Sequence, residues 1–221
     1  MSETLAKVRE ELLSAVRELN RLGLVAGSSG NASVRLSEQE GTERYLITPS
    51  SVPYSSMTSD DLVVVDGDLE PVNDDGIPSI ESFLHLAVYR AREDVGAVVH
   101  THSLYASVAA VAGRPIPPVV DEMVVYIGGQ VEVAEYGFPG TEDLASAAVA
   151  ALGDRRAVLL RNHGVCAAGA TLEEALRVAV LVERVAQIYV QAEMMGGARI
   201  LPDEAIEAER SVYLMRSGLA E

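Results

Sequence analysis

Short β-prone runs, too brief for helices, alternate in no fixed order with longer stretches whose apolar residues recur every three or four positions. That irregular alternation limits the fold more than any other feature. Steady strand–helix repetition builds an all-parallel sheet, whereas this pattern predicts one α/β domain with a mixed or mainly antiparallel sheet covered by helices. Leu5, Val8, Leu12, Val16, Leu19 and Leu22 form one helical face that Gly23 ends. Strands are predicted at 32–36, 45–47, 62–65, 97–99, 123–126, 131–134 and 157–160. A helix led by Pro78 turns Ile80, Phe83, Leu84, Ala87, Val88 and Ala91 inward. Further helices are expected at 103–112, 141–152, from Thr171 to the Gly196-Gly197 pair, and at 203–216. Thr171 and Glu174 have the spacing of a capping box. No repeat or linker divides the chain, so residues 1–221 read as a single domain.

Composition excludes several classes. A formal net charge of −16 repels phosphate polymers and anionic membranes, so neither nucleic acid nor membrane is an expected partner. No apolar run approaches the roughly 18 residues that span a bilayer. The single Cys cannot form an internal bridge, and Met1-Ser2-Glu3-Thr4 lacks an export signature, which predicts a cytoplasmic protein. Lys7 is the only lysine and lies in the first helix, so lysine Schiff-base chemistry is disfavoured.

Three of the four histidines could act together. His100 and His102 are two apart in a strand, where alternate residues point the same way, so both rings can reach one ion at about 2 Å. His163 follows an apolar strand and precedes Gly164, which lets the backbone bend near a site. Three neutral nitrogens with an open position suit catalytic zinc better than a closed structural site. Glu81 lies on the Pro78 helix beside apolar neighbours, where desolvation raises its proton affinity unless a cation compensates; it suits a general base beside a metal. His85, four residues on, shares that face and reads as a supporting or packing residue, not a ligand. The loop Gly27-Ser28-Ser29-Gly30-Asn31 can cradle a phosphate or a polyol. It lacks a P-loop lysine, and no G-x-G-x-x-G accompanies it, which disfavours nucleotides. Thr48-Pro49-Ser50-Ser51 and Ser79 add hydroxyls, and Cys166 reads as core.

In chain order, Gly30-Asn31-Ala32-Ser33-Val34-Arg35, Ile47-Thr48-Pro49-Ser50, Pro78-Ser79-Ile80-Glu81, His100-Thr101-His102 and Asn162-His163-Gly164 resemble the class II aldolase/adducin family. The resemblance implies a three-layer α/β/α fold with a mainly antiparallel sheet flanked by helices, and a homotetramer with active sites at subunit interfaces. It assigns zinc to His100, His102 and His163, acid/base work and a further metal contact to Glu81, and substrate or phosphate contacts to Gly30, Asn31, Ser50, Ser51 and Ser79. The implied reaction cleaves a short ketose, such as L-fuculose 1-phosphate, to dihydroxyacetone phosphate and a small aldehyde through a metal-stabilised enediolate. Pentulose-phosphate epimerisation, dehydration, decarboxylation and a non-catalytic adducin-like assembly role are the alternatives. Two departures bear on the phosphate pocket: Ser50-Ser51 replaces Thr-Gly, and Ser79-Ile80 replaces two serines. The tyrosine that serves a family member as proton donor falls near Glu122, leaving Tyr126, Tyr213, Asp121 or Glu122 to replace it.

Overall fold

The computed structural model of the protein describes residues 3–39, 42–72 and 76–219. Residues 1 and 2, part of the stretch read for an export signature, lie outside these, as do both ends of the 1–221 span. Helix α1 (Glu3–Arg21) precedes strands β1 (Asn31–Gln39), β2 (Thr42–Ile47) and β3 (Val63–Asp66). There follow α2 (Ser82–Ala91), β4 (Ala97–Thr101), α3 (Leu104–Ala112), α4 (Asp121–Ile127), β5 (Glu132–Ala134) and α5 (Glu142–Leu152). Strands β6 (Ala157–Leu160) and β7 (Gly164–Gly169) and helices α6 (Leu172–Met194) and α7 (Asp203–Ser217) complete the order.

The strands form one seven-stranded sheet in the order β3-β2-β1-β4-β7-β6-β5. Every neighbouring pair is antiparallel except β5 with β6. Successive strand residues point to opposite faces, and the burial follows that period. Ala97 and Val99 of β4 and Val165 and Ala167 of β7 enter one core, closed by Leu12 and Val16 of α1, Ala106 of α3 and Val182 of α6. Val98, Cys166 and Ala168 enter the other, closed by Leu84 and Val88 of α2 and Leu144 and Ala148 of α5. Helices therefore cover both faces, giving three layers. Among the described residues no helix is long and apolar enough to cross a membrane.

Five local expectations need correction. Residues 123–126 are helical, within α4: Asp121 and Glu122 occupy its first turn, where acidic groups meet the positive helix end, and Gly128 closes it at φ 98°. Strand β7 was not expected, because its small residues carry no strong β-propensity; pairing with β4 and β6 forms it. Helix α2 starts at Ser82, not at Pro78, with Glu81 as its N-cap. Ile80, Phe83 and Ala91 are exposed while Ser82, His85 and Tyr89 are buried, so the inward face is more polar than the apolar stripe predicted. The α6 capping box is modified as well. Thr171 accepts from the Glu174 N–H, but the Glu174 carboxylate takes the Ala170 N–H instead of that of Thr171.

Candidate metal centre

The register of the central strands brings the predicted groups to one end of the sheet. Asn31 opens β1 directly opposite His100 of β4, and His100 stands opposite Cys166 of β7. His163 lies in the tight turn from β6 to β7, beside Asn162, whose φ is +58°. Gly164 is there for a reason the sequence did not show. A Cβ would sit 2.2 Å from the Thr101 carbonyl oxygen and 3.2 Å from His102 Cδ2, so glycine permits close approach of β7 to β4 rather than a bend. Gly30 has the same role in front of β1: at φ +73°, a Cβ there would meet His100 O at 2.7 Å. The Tyr54 hydroxyl donates to Gly30 O at 2.6 Å and pins this loop.

The three imidazoles converge with ring centroids 4.7–4.8 Å apart and planes at 70–75°. His100 Nε2 lies 2.9 Å from His102 Nε2 and 3.2 Å from Glu81 Oε2, and His163 Nε2 lies 3.3 Å from Glu81 Oε1. A carbonyl can only accept, so His100 Nδ1 must donate to Val165 O, at 2.8 Å, and a neutral ring then aims the Nε2 lone pair at the cluster. Burial, reinforced by the neighbouring imidazoles, lowers the pKa of His102 to about 4 and lowers that of His163, keeping both neutral at pH 7. For Glu81, burial raises the carboxyl as expected. Attraction to His100 and His163 in their protonated forms and the N–H of the Asn31 amide outweigh it and hold Glu81 below the usual carboxylate range.

The residues present fit a divalent metal. Bonds of about 2.0–2.1 Å in a tetrahedron place ligand atoms about 3.3 Å apart, close to the observed separations. All four donor atoms lie within 4.8 Å of one another. Glu81 Oε1, buried and without a hydrogen-bond partner, is left for a cation to satisfy. The donor set, three imidazole nitrogens and a carboxylate oxygen, suits zinc and other first-row ions.

A cleft of about 440 Å³ opens onto this cluster and gathers Ser28, Ser29, Gly30, Asn31, Ser50, Ser51, Ser79, Ile80, Glu81, Pro139, His102 and His163. Every residue singled out for substrate contact therefore lies in one place, with buried His100 behind it. A local pairing joins two distant segments: Ser79 N donates to Thr48 O and Ser50 N to Ile77 O, placing the Ser50-Ser51 turn beside Ser79. Ser51 sits at φ +63°. Among the described residues no Lys or Arg lines the cleft, where the polar groups are hydroxyls, an amide and backbone N–H groups. Pro139 also lines the cleft.

Not every suggestion meets here. Tyr213 is buried and donates to Asp154 O, Tyr126 is covered by the guanidinium groups of Arg177 and Arg216, and Asp121 and Glu122 face a different hollow. A larger groove of about 990 Å³ between α1 and the start of α6 holds none of the chemistry described.

The family described as Class II Aldolase and Adducin N-terminal domain matches residues 10–190. The chain is 37% identical over 203 residues to a 5-deoxy-D-ribulose 1-phosphate aldolase of Bacillus thuringiensis, covering 92% of this chain and 93% of that protein. It is 35% identical to the L-fuculose phosphate aldolase of Escherichia coli K12, covering 90% and 91%. A solved L-fuculose 1-phosphate aldolase superposes with a TM-score of 0.87 at 36% identity, covering 93% of this chain and 95% of that one.

Proposed function

Because the chain belongs to the class II aldolase and adducin family, we propose that it is a zinc-dependent aldehyde-lyase cleaving a short ketose 1-phosphate to dihydroxyacetone phosphate and a small aldehyde. Its named relatives are aldolases acting on such sugars. The observation that carries this reading is the meeting of three imidazoles and one buried carboxylate at the floor of a hydroxyl-lined cleft. We read residues 1–221 as one such domain, acting in the cytoplasm.

His100, His102 and His163 would hold the metal, with Glu81 as a further contact. When bound, zinc supplies Lewis-acid stabilisation of negative charge on the substrate's carbonyl oxygen. Glu81 exchanges the proton at the carbon that loses the aldehyde, within reach of the cleft and shielded from bulk water. The hydroxyls of Ser50, Ser51 and Ser79, the Asn31 amide and the backbone around Gly30 orient the phosphate end. Among the described residues no tyrosine lines the cleft, and in this reading the acid serving the aldehyde oxygen comes from a neighbouring subunit. A homotetramer with sites between neighbouring subunits meets that need. Exposed apolar side chains support it: Ile80 and Phe138 beside the cleft, and Leu104, Val108 and Val111 on successive turns of α3.

The test is a cleavage assay with zinc-loaded protein across ketose 1-phosphates and their unphosphorylated counterparts, with His102→Ala alongside and the oligomer's mass measured by light scattering. New aldehyde from a ketose 1-phosphate, lost in His102→Ala, is the expected result. Isomeric sugar without cleavage would point to epimerisation, and equal turnover in both proteins would remove the metal from the reaction. Ile80, two-thirds exposed where a hydroxyl would serve phosphate, makes the unphosphorylated arm informative. Preferential cleavage there would reassign the substrate.

A further inference from the structure

A row of polar side chains runs inward from the metal cluster between β1 and α2, buried except for partly exposed Arg35 at its far end. Asn31, Ser33 and Arg35 stand two apart on the strand; Glu81, His85 and Tyr89 stand four apart along the helix and its N-cap. Two strand residues advance about 6.8 Å and four helical residues about 6 Å, so the rows keep step. Asn31 Nδ2 lies 2.9 Å from Glu81 Oε2, and His85 lies 2.5 Å from Asn31 Oδ1 through Nε2 and 2.6 Å from Ser33 Oγ through Nδ1. Ser33 Oγ then meets the Tyr89 hydroxyl at 2.7 Å, and Arg35 donates to Tyr89 O at 2.6 Å.

Chemistry gives this chain one direction. A carboxylate only accepts, so the Asn31 amide must present its NH2 to Glu81, which leaves Oδ1 for His85. That oxygen needs a donor. His85 therefore carries its proton on Nε2 and leaves Nδ1 bare for the Ser33 hydroxyl, whose oxygen accepts from Tyr89. Burial, helped by His100, lowers the His85 pKa to about 3 and keeps the ring neutral. Turning the Asn31 amide over would set oxygen against carboxylate and NH2 against N–H, breaking two contacts at once.

We propose that His85 is a positioning residue: its Nε2–H locks the Asn31 amide so that Glu81 is anchored through Oε2 while Oε1 stays free to face metal and substrate. This rests on the reading of Glu81 as the acid–base group. Oε1, which lacks a hydrogen bond and faces His163 Nε2 at 3.3 Å, and Oε2, held by Asn31, are the asymmetry that such a lock produces.

The test has two arms. Ring-nitrogen magnetic resonance on the ¹⁵N-histidine-labelled wild-type protein reads the tautomer of His85. A neutral ring protonated at Nε2 is expected, and protonation at Nδ1 overturns the proposal. Kinetics on zinc-loaded variants form the second arm. His85→Leu removes the donor and should lower kcat on the order of 10- to 100-fold, with full zinc content and little change in KM. His85→Gln can still donate to Asn31 and should recover most of that loss. If the Gln variant falls as far as the Leu variant while both hold zinc, the lock is refuted. Wild-type protein that cleaves no ketose would sink the functional reading, while the tautomer would still decide this one.

Discussion

The first turn of α3 is closed by a residue eighty positions away, and removing that residue should loosen the metal site. Ser103 occupies the N-cap but makes no side-chain bond to the helix, and its hydroxyl is buried without a partner. Instead the Glu183 carboxylate of α6 accepts from Tyr105 N at 2.9 Å and from Ala106 N at 3.0 Å. Two N–H groups that no helix can satisfy internally are thereby paired with one ion. Hydrogen bonds to a charged group contribute about 1.5–3 kcal/mol each when buried. Here the carboxylate is only partly buried, and in Glu183→Ala water can replace part of each bond, so a total loss of about 2 kcal/mol is expected. For a chain of this size that is a fall of roughly 4–8 °C in Tm. Glu183→Gln keeps one acceptor and should lose about half as much. Because α3 begins two residues after His102, zinc affinity should fall with stability. Urea unfolding together with zinc titration against a competing chelator checks both. An alanine variant that unfolds within about 0.5 kcal/mol of wild type, the ordinary scatter for surface changes, and binds zinc equally well would refute the reasoning.

Other perturbations have distinct signs. Gly164→Ala drives a Cβ to 2.2 Å from Thr101 O; overpacking should cost about 1–3 kcal/mol and weaken zinc binding, and unchanged melting and zinc affinity would contradict this. Ser51→Gly relieves a left-handed residue at φ +63° and should stabilise the protein by about 0.5–1 kcal/mol after glycine's greater unfolded-state freedom is discounted. Its lost hydroxyl should raise KM, so a variant less stable, or unchanged in KM, would count against the role of Ser51. In the metal-free protein, His85 titrates at about 3 when folded, against an ordinary 6.5. The unfolded chain therefore binds the extra proton, and this contribution is intact above pH 6.5 and lost as pH falls towards 3. His85→Gln should flatten stability against pH by up to about 1.4 kcal/mol per unit between pH 4 and 6, read from urea midpoints; parallel curves would exclude it.

How much was legible beforehand depended on the range of the signal. The α1 stripe, the strands at 32–36, 45–47 and 62–65 and the Thr171 start of α6 are local patterns, and the structure has elements at each. Residues 123–126 misled because four apolar residues suit either element, and the arbiters were their neighbours, acidic Asp121 and Glu122 and then Gly128. Strand β7 escaped because pairing, not propensity, forms it. The ladder from Glu81 to Tyr89 did leave a trace, polar residues at period two on β1 and at period four on α2, but the face was read as apolar. Glu183 and Tyr54 left none.

What the sequence determined by itself was chemical identity and local period: which residues can bind a metal, and which way neighbouring side chains point along one strand or helix. His100 and His102 were already a pair for that reason. The family resemblance implied that His163 and Glu81 join them; how they physically meet was decided by tertiary structure. Strand register sets Asn31 against His100, glycine lets β7 close onto β4, and packing of α2 on β1 turns a carboxylate inward. Local geometry is fixed within a few bonds, whereas convergence of distant segments depends on loop closure and core packing summed over the whole chain.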